Sequence, residues 1–140
     1  MKKFRALAKF WLPVFVWLVV IFGFSTQPTP EVSKIDWRDF ILKKTIHLVE
    51  FGILFILFYR AFKNTSKLSL FQIAFWALIL TILYSTTDEF HQTFIHGRTG
   101  TLRDIVIDSS GAGLAWFGIW KYLPKAPAKL RDWAKKLQIT

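Results

Sequence analysis

Cysteine is absent from all 140 residues. The chain therefore has no disulfide, no thiolate nucleophile and no thiolate metal site, whatever compartment its loops occupy. Its histidines and glutamates form no His-Glu-x-x-His pair, the helix-face arrangement that holds zinc in metalloproteases. No serine sits in a nucleophile-elbow pattern, which leaves covalent acyl chemistry unsupported. No inverted repeat is evident, and without one a chain of this size lacks the two halves that alternating access requires. Acidic residues are scarce, 9 against 19 lysines and arginines, giving a net charge of +10. No nucleic-acid-binding motif recruits that excess, so nucleic acid is not an expected partner.

What is abundant is apolar surface. Hydrophobic residues make up 53% of the chain and aromatic residues 18%, values expected when much of the outside faces lipid. The sequence predicts one all-α domain over residues 1–140, an integral membrane four-helix bundle with spans at about 10–24, 40–62, 68–94 and 102–123. The first apolar run, Phe10 to Phe24, follows Lys2, Lys3, Arg5 and Lys9. Gly23 and Ser25 weakly satisfy the spacing of a signal-peptide cleavage site, but a retained membrane helix is the favoured reading. Gln27-Pro28-Thr29-Pro30 forces a loop before the second span. Pro124 and Pro127 end the fourth, and Ala128 to Ile139 reads as a basic amphipathic helix lying on the membrane surface.

The basic residues are unevenly placed. Thirteen fall in the N-terminal segment, the turn around Asn64 and the C-terminal tail, against six in the two remaining connections. By the positive-inside bias, both termini are expected in the cytoplasm. The loops at Ser25 to Lys44 and Phe90 to Arg103 then face outward.

Those outward ends carry most of the intramembrane polarity. Asp88, Glu89, His91, Gln92, Arg98, Arg103 and Asp104 separate two apolar runs, and Asp108 appears where the second is already under way. Spacings of three and four put Thr81, Tyr84, Asp88, His91 and Gln92 on one face of the third helix, and Asp104, Asp108 and Gly111 on one face of the fourth. Lys44, His47 and Glu50 likewise share a face of the second. Gly111, Ala115 and Gly118, with Ser110, supply small residues for close helix approach. Ionisable groups are costly in a bilayer and usually mark function. Two other readings stay open: a polar network that only locks the helices together, and a metal-assisted membrane hydrolase using donors among His47, Glu50, Asp88 and His91. No metal and no cofactor is assigned. A histidine between carboxylates can act as general base, Arg98 or Lys44 can hold a phosphate or carboxylate, and Trp37 or Phe94 can provide an apolar wall.

Several short motifs occur in order: Phe24-Ser25-Thr26-Gln27-Pro28, Lys44-x-x-His47-x-x-Glu50, Asp88-Glu89-x-His91-Gln92, and Gly97-Arg98 followed by Asp104, Asp108 and Gly111. Together they cover Phe10 to Tyr122, and the chain resembles the VanZ-like membrane proteins, named after the teicoplanin resistance protein VanZ. Ser25-Thr26-Gln27 departs slightly from the more familiar double serine, and Asp108 stands where many members have asparagine. The resemblance implies a small bacterial multi-pass membrane protein and, for the namesake, lower susceptibility to teicoplanin, without a settled biochemical activity. Joined to the outward cluster, it suggests recognition or modification of an amphipathic envelope molecule, either a lipid-linked cell-wall intermediate or a lipophilic glycopeptide. In that reading His91, Asp88, His47 and Glu50 form the catalytic group, His91 as base with Asp88 and Glu50 orienting the histidines. Lys44, Glu89, Gln92, Arg98, Asp104 and Asp108 bind the ligand, Arg98 and Lys44 at an anionic head group and the two aspartates bracing the fourth helix against the third. The bilayer is the expected partner, and the sequence is silent on oligomeric state.

Overall fold

A computed structural model describes residues 2–27, 37–98 and 100–140. The expected loop through Pro28, Thr29 and Pro30 lies outside the described residues. Among the described residues the chain is all-helical, with five α-helices and no strand: α1 (Lys2–Ser25), α2 (Trp37–Thr65), α3 (Leu70–Gln92), α4 (Leu102–Phe117) and α5 (Ala128–Lys136). Two of these, over Leu7–Ser25 and Leu70–Gln92, are long and apolar enough to cross a membrane.

Local chemistry sets the boundaries. α1 begins well before its apolar run because the lysines, leucine, arginine and alanines ahead of it are good helix formers. α3 starts at a capping box: the Ser69 hydroxyl accepts from Gln72 N, and the Gln72 side chain accepts from Ser69 N at 2.9 Å. α4 is capped by Thr101, whose hydroxyl accepts from Asp104 N at 3.3 Å. It does not run on as an α-helix to Leu123 as expected. It widens at Gly118–Tyr122 into a π turn and tightens over Leu123–Lys125 into a 3₁₀ turn. Pro124 accounts for the change, because it lacks an N–H and its ring collides with the carbonyl four residues back in an unbroken α-helix.

α2 is the central element and packs against α1, α3 and α4. Its Phe51, Leu54 and Phe55 are buried, meeting Val14 and Ile21 of α1, Ala77 of α3 and Ala112 of α4 in one core cluster. α2 and α4 approach closely because glycines face each other: a Cβ on Gly111 would overlap the Leu48 carbonyl, and one on Gly52 would press on Gly111. Gly113 and Gly118, by contrast, face open space, so the expected close-packing role of Gly118 is not observed. α1 is pinned by side-chain bonds to main-chain carbonyls. The Trp17 indole donates to Glu50 O at 3.0 Å, and the Tyr84 hydroxyl donates to Leu18 O at 2.6 Å.

The outward faces are oily. Leu12, Phe15 and Val19 on α1 and Phe71 and Leu83 on α3 are all more than 50% exposed, far beyond what a water-facing surface tolerates in contiguous patches. At the other end of the molecule the chain closes on itself. Arg60 Nε donates to Leu137 O at 2.6 Å, Asn64 Nδ2 to Gln138 O at 3.0 Å and Lys63 Nζ to Ile139 O at 3.0 Å. The partial burial of Lys63 holds its pKa below the ordinary lysine value. α5 buries Ala134 and leaves Leu130, Trp133 and Leu137 exposed along one side, the side expected to meet lipid.

Candidate functional site

Three helices bring charge to one end of the molecule. Lys44 and His47, one turn apart on α2, face Asp104 and Asp108, one turn apart on α4, because the two helices run in the same direction across the glycine contact. Lys44 Nζ lies 2.6 Å from Asp104 Oδ1, and His47 Nδ1 lies 3.4 Å from Asp108 Oδ1. From α3, the Ser85 hydroxyl donates to Asp108 Oδ2 at 2.9 Å. Asp108 is therefore the hub, held from two sides and 1% exposed.

Beside it α3 contributes two buried carboxylates. Asp88 Oδ2 accepts from Gln92 Nε2 at 2.7 Å, and Glu89 Oε2 accepts from the Thr101 N–H at 3.0 Å, which ties the end of α3 to the start of α4. The half-buried Glu50 carboxyl lies within electrostatic reach of His47, Asp88, Asp108 and Arg98. The buried Ser25 hydroxyl at the end of α1 faces Asp88. Asp88 Oδ1 and Ser25 Oγ nevertheless lack a hydrogen-bond partner of good geometry, as do Asp108 Oδ1 and His91 Nδ1. Buried polar atoms are nearly always paired; Asp88 and Ser25 face each other and Asp108 Oδ1 faces His47, which leaves His91 Nδ1 as the buried atom of this group without a hydrogen-bond partner among the described residues.

Arg98 is engaged at the rim. Its Nε donates to Gln27 O at 3.0 Å and its Nη2 to Phe24 O at 3.2 Å, closing the carboxyl end of α1, where a cation also complements the helix dipole.

Not every residue sits where the spacing suggested. Thr81, Ser85, Asp88, Glu89 and Gln92 are the buried polar residues of α3, whereas Tyr84 and His91 turn to α1. The His91 ring lies 4.6 Å from the Phe22 ring. His47 meets Asp108 rather than being oriented by Asp88 or Glu50, and Asp104 braces α4 against α2 rather than α3. The donor atoms of His47, Glu89 and Asp108 lie within 4.8 Å of one another, a group that shares only His47 with the four candidate donors His47, Glu50, Asp88 and His91. Trp37 and Phe94 are exposed, and Phe94 packs edge-on against Phe90 at 5.2 Å. Ser85 and Thr101 are contributors that sequence reasoning passed over, and Ser25 was marked there only as part of the motif after the first span. Ser85 was open to discovery as a serine in an apolar run, three residues before Asp88.

A cavity of about 910 Å³ lies away from this cluster, lined by Tyr59, Phe71, Trp116, Trp120 and Ile139 among others, and none of the polar group touches it.

The fold and the site define a helical protein with membrane-competent helices and a buried ionisable cluster where α2, α3 and α4 converge. The chain belongs to the VanZ/LLP1 family, whose model matches residues 10–123. That interval contains every member of the cluster. No curated protein and no solved structure matches the chain significantly.

Proposed function

We propose that the chain is a bacterial four-span membrane protein with both termini in the cytoplasm, and that its polar cluster faces outward to receive the head of an amphipathic cell-envelope molecule. The observation that carries this reading is the convergence of buried Ser25, Asp88, Glu89 and Asp108 at one end of the molecule beside His91, whose Nδ1 has no hydrogen-bond partner among the described residues. Carboxylates and a serine hydroxyl suit the hydroxyl and amide groups of a sugar or peptide head, while the oily outer faces of α1 and α3 let a lipid tail lie alongside. A lipid-linked wall intermediate and a lipophilic glycopeptide share that chemistry. Recognition needs only these contacts, so it is preferred to catalysis.

A role in teicoplanin resistance follows as the test. Wild type and Asp88→Asn are expressed at matched membrane levels in a sensitive bacterium. The expected outcome is reduced susceptibility with the wild type alone. Equal protection by both proteins removes Asp88 from the site, and protection by neither rejects the resistance role. A second reading, a network that only locks the helices, draws on the Ser85–Asp108 and Gln92–Asp88 bonds. It predicts that Asp88→Asn lowers membrane abundance and melting temperature before any phenotype changes.

A further inference from the structure

We propose that His47, Glu89 and Asp108 bind one divalent transition-metal ion of the zinc type. The three residues come from α2, α3 and α4, and their donor atoms converge within 4.8 Å. His47 Nδ1 and Asp108 Oδ1 are 3.4 Å apart. That is long for an N–H···O bond, which falls at about 2.7–3.2 Å. It matches the roughly 3.3 Å that separates two ligands each about 2.0 Å from a tetrahedral zinc ion. Asp108 is 1% exposed, and apart from the long contact to His47 its Oδ1 has no partner among the described residues.

The surroundings fit a metal site as well. Metal-binding carboxylates are normally oriented by outer donors. Here Ser85 holds Asp108 Oδ2, and the Thr101 N–H holds Glu89 Oε2. The Glu50 and Asp88 carboxyl groups lie within electrostatic reach of His47. The adjacent cations are committed elsewhere, Lys44 to Asp104 and Arg98 to the carbonyls that end α1. A divalent ion offsets the two buried carboxylates without a compensating side chain. The histidine nitrogen favours zinc and its neighbours over magnesium or calcium, which prefer all-oxygen shells. The inference goes beyond ligand recognition and does not depend on it, since zinc can be counted with no envelope molecule present.

The full chain, purified in detergent and stripped with a chelator, is incubated with zinc chloride, desalted and assayed for zinc per chain. One equivalent is expected for the wild type and for Asp132→Asn, which alters only an exposed pair with Lys135. His47→Gln, at a half-buried position, should weaken zinc binding at least about tenfold, with helicity and elution volume unchanged. Should His47→Gln fail to fold, cobalt titration of the wild type decides. A saturable visible absorption at one equivalent, displaced by zinc, supports the site. Wild type that holds no stoichiometric zinc, a cobalt spectrum like that of the free ion, or folded His47→Gln that binds as tightly as wild type overturns it.

Discussion

Arg98 shows how a charged residue at the rim divides between structure and ligand. Its two bonds to the Phe24 and Gln27 carbonyls exploit the fixed fork of a guanidinium, which an ammonium group cannot reproduce. Arg98→Lys keeps the charge yet loses the paired geometry. The expected cost is about 1 kcal/mol, read as a small drop in melting temperature of the detergent-solubilised protein. If the head group of a ligand were instead the main partner of this residue, the lysine variant would melt like wild type. At the same scale, the residues that join α2 to α4 were legible, since Lys44, His47, Asp104 and Asp108 stood out as polar residues at helical spacing, but the sequence reading braced the fourth helix against the third. Which partner each would take was not legible. A spacing of three or four leaves a helix face uncertain by tens of degrees, enough to put His91 against Phe22 instead of beside His47.

Between elements, the decisive contact is the crossing of α2 and α4, where two glycines replace side chains. Gly111→Ala drives a methyl group into the Leu48 carbonyl. Separating the helices should cost about 1–3 kcal/mol and pull His47 from Asp108. Gly118→Ala meets open space and keeps a helical φ of −59°. It should be neutral or stabilising by about 0.5 kcal/mol. The two substitutions, compared by thermal denaturation of the same preparation, should therefore move in opposite directions or differ by more than a degree or so. A matching loss from both would mean that the crossing is not the tight point. Small residues in α4 were evident in the sequence, but Gly52 was overlooked because the partner of a glycine is invisible until the register of two helices is known. The helix starts were near the expected residues, Leu70 against 68 for α3 and Leu102 for α4, because the Ser69 and Thr101 caps act locally, whereas the α-helical end of α4 at Phe117 fell short of the expected 123.

At the scale of the whole molecule the absence of cysteine becomes a tool. Single cysteines can be introduced without background. If both termini are cytoplasmic, as proposed, His96→Cys should react with a membrane-impermeant maleimide on intact cells, while Lys67→Cys should react only after permeabilisation. The reverse pattern would invert the orientation and turn the polar cluster toward the cytoplasm. All-helical character followed from apolar run length and helical periodicity, whereas two helices, not four, are long and apolar enough to cross a membrane among the described residues. The fold-back of the C-terminal segment did not follow from run length or periodicity. It depends on Arg60, Lys63 and Asn64 gripping main-chain carbonyls, which every sequence possesses.

That grip has a mechanical consequence. Arg60, Asn64 and Lys63 take hold of three consecutive main-chain carbonyls, those of Leu137, Gln138 and Ile139, at the end of α2 opposite the site. A carbonyl is the same on every residue, so the clasp is blind to side-chain identity at these positions and sensitive only to the path of the main chain that presents them. The amphipathic helix is thereby tethered to the central helix by backbone geometry, which leaves its side chains at liberty to vary.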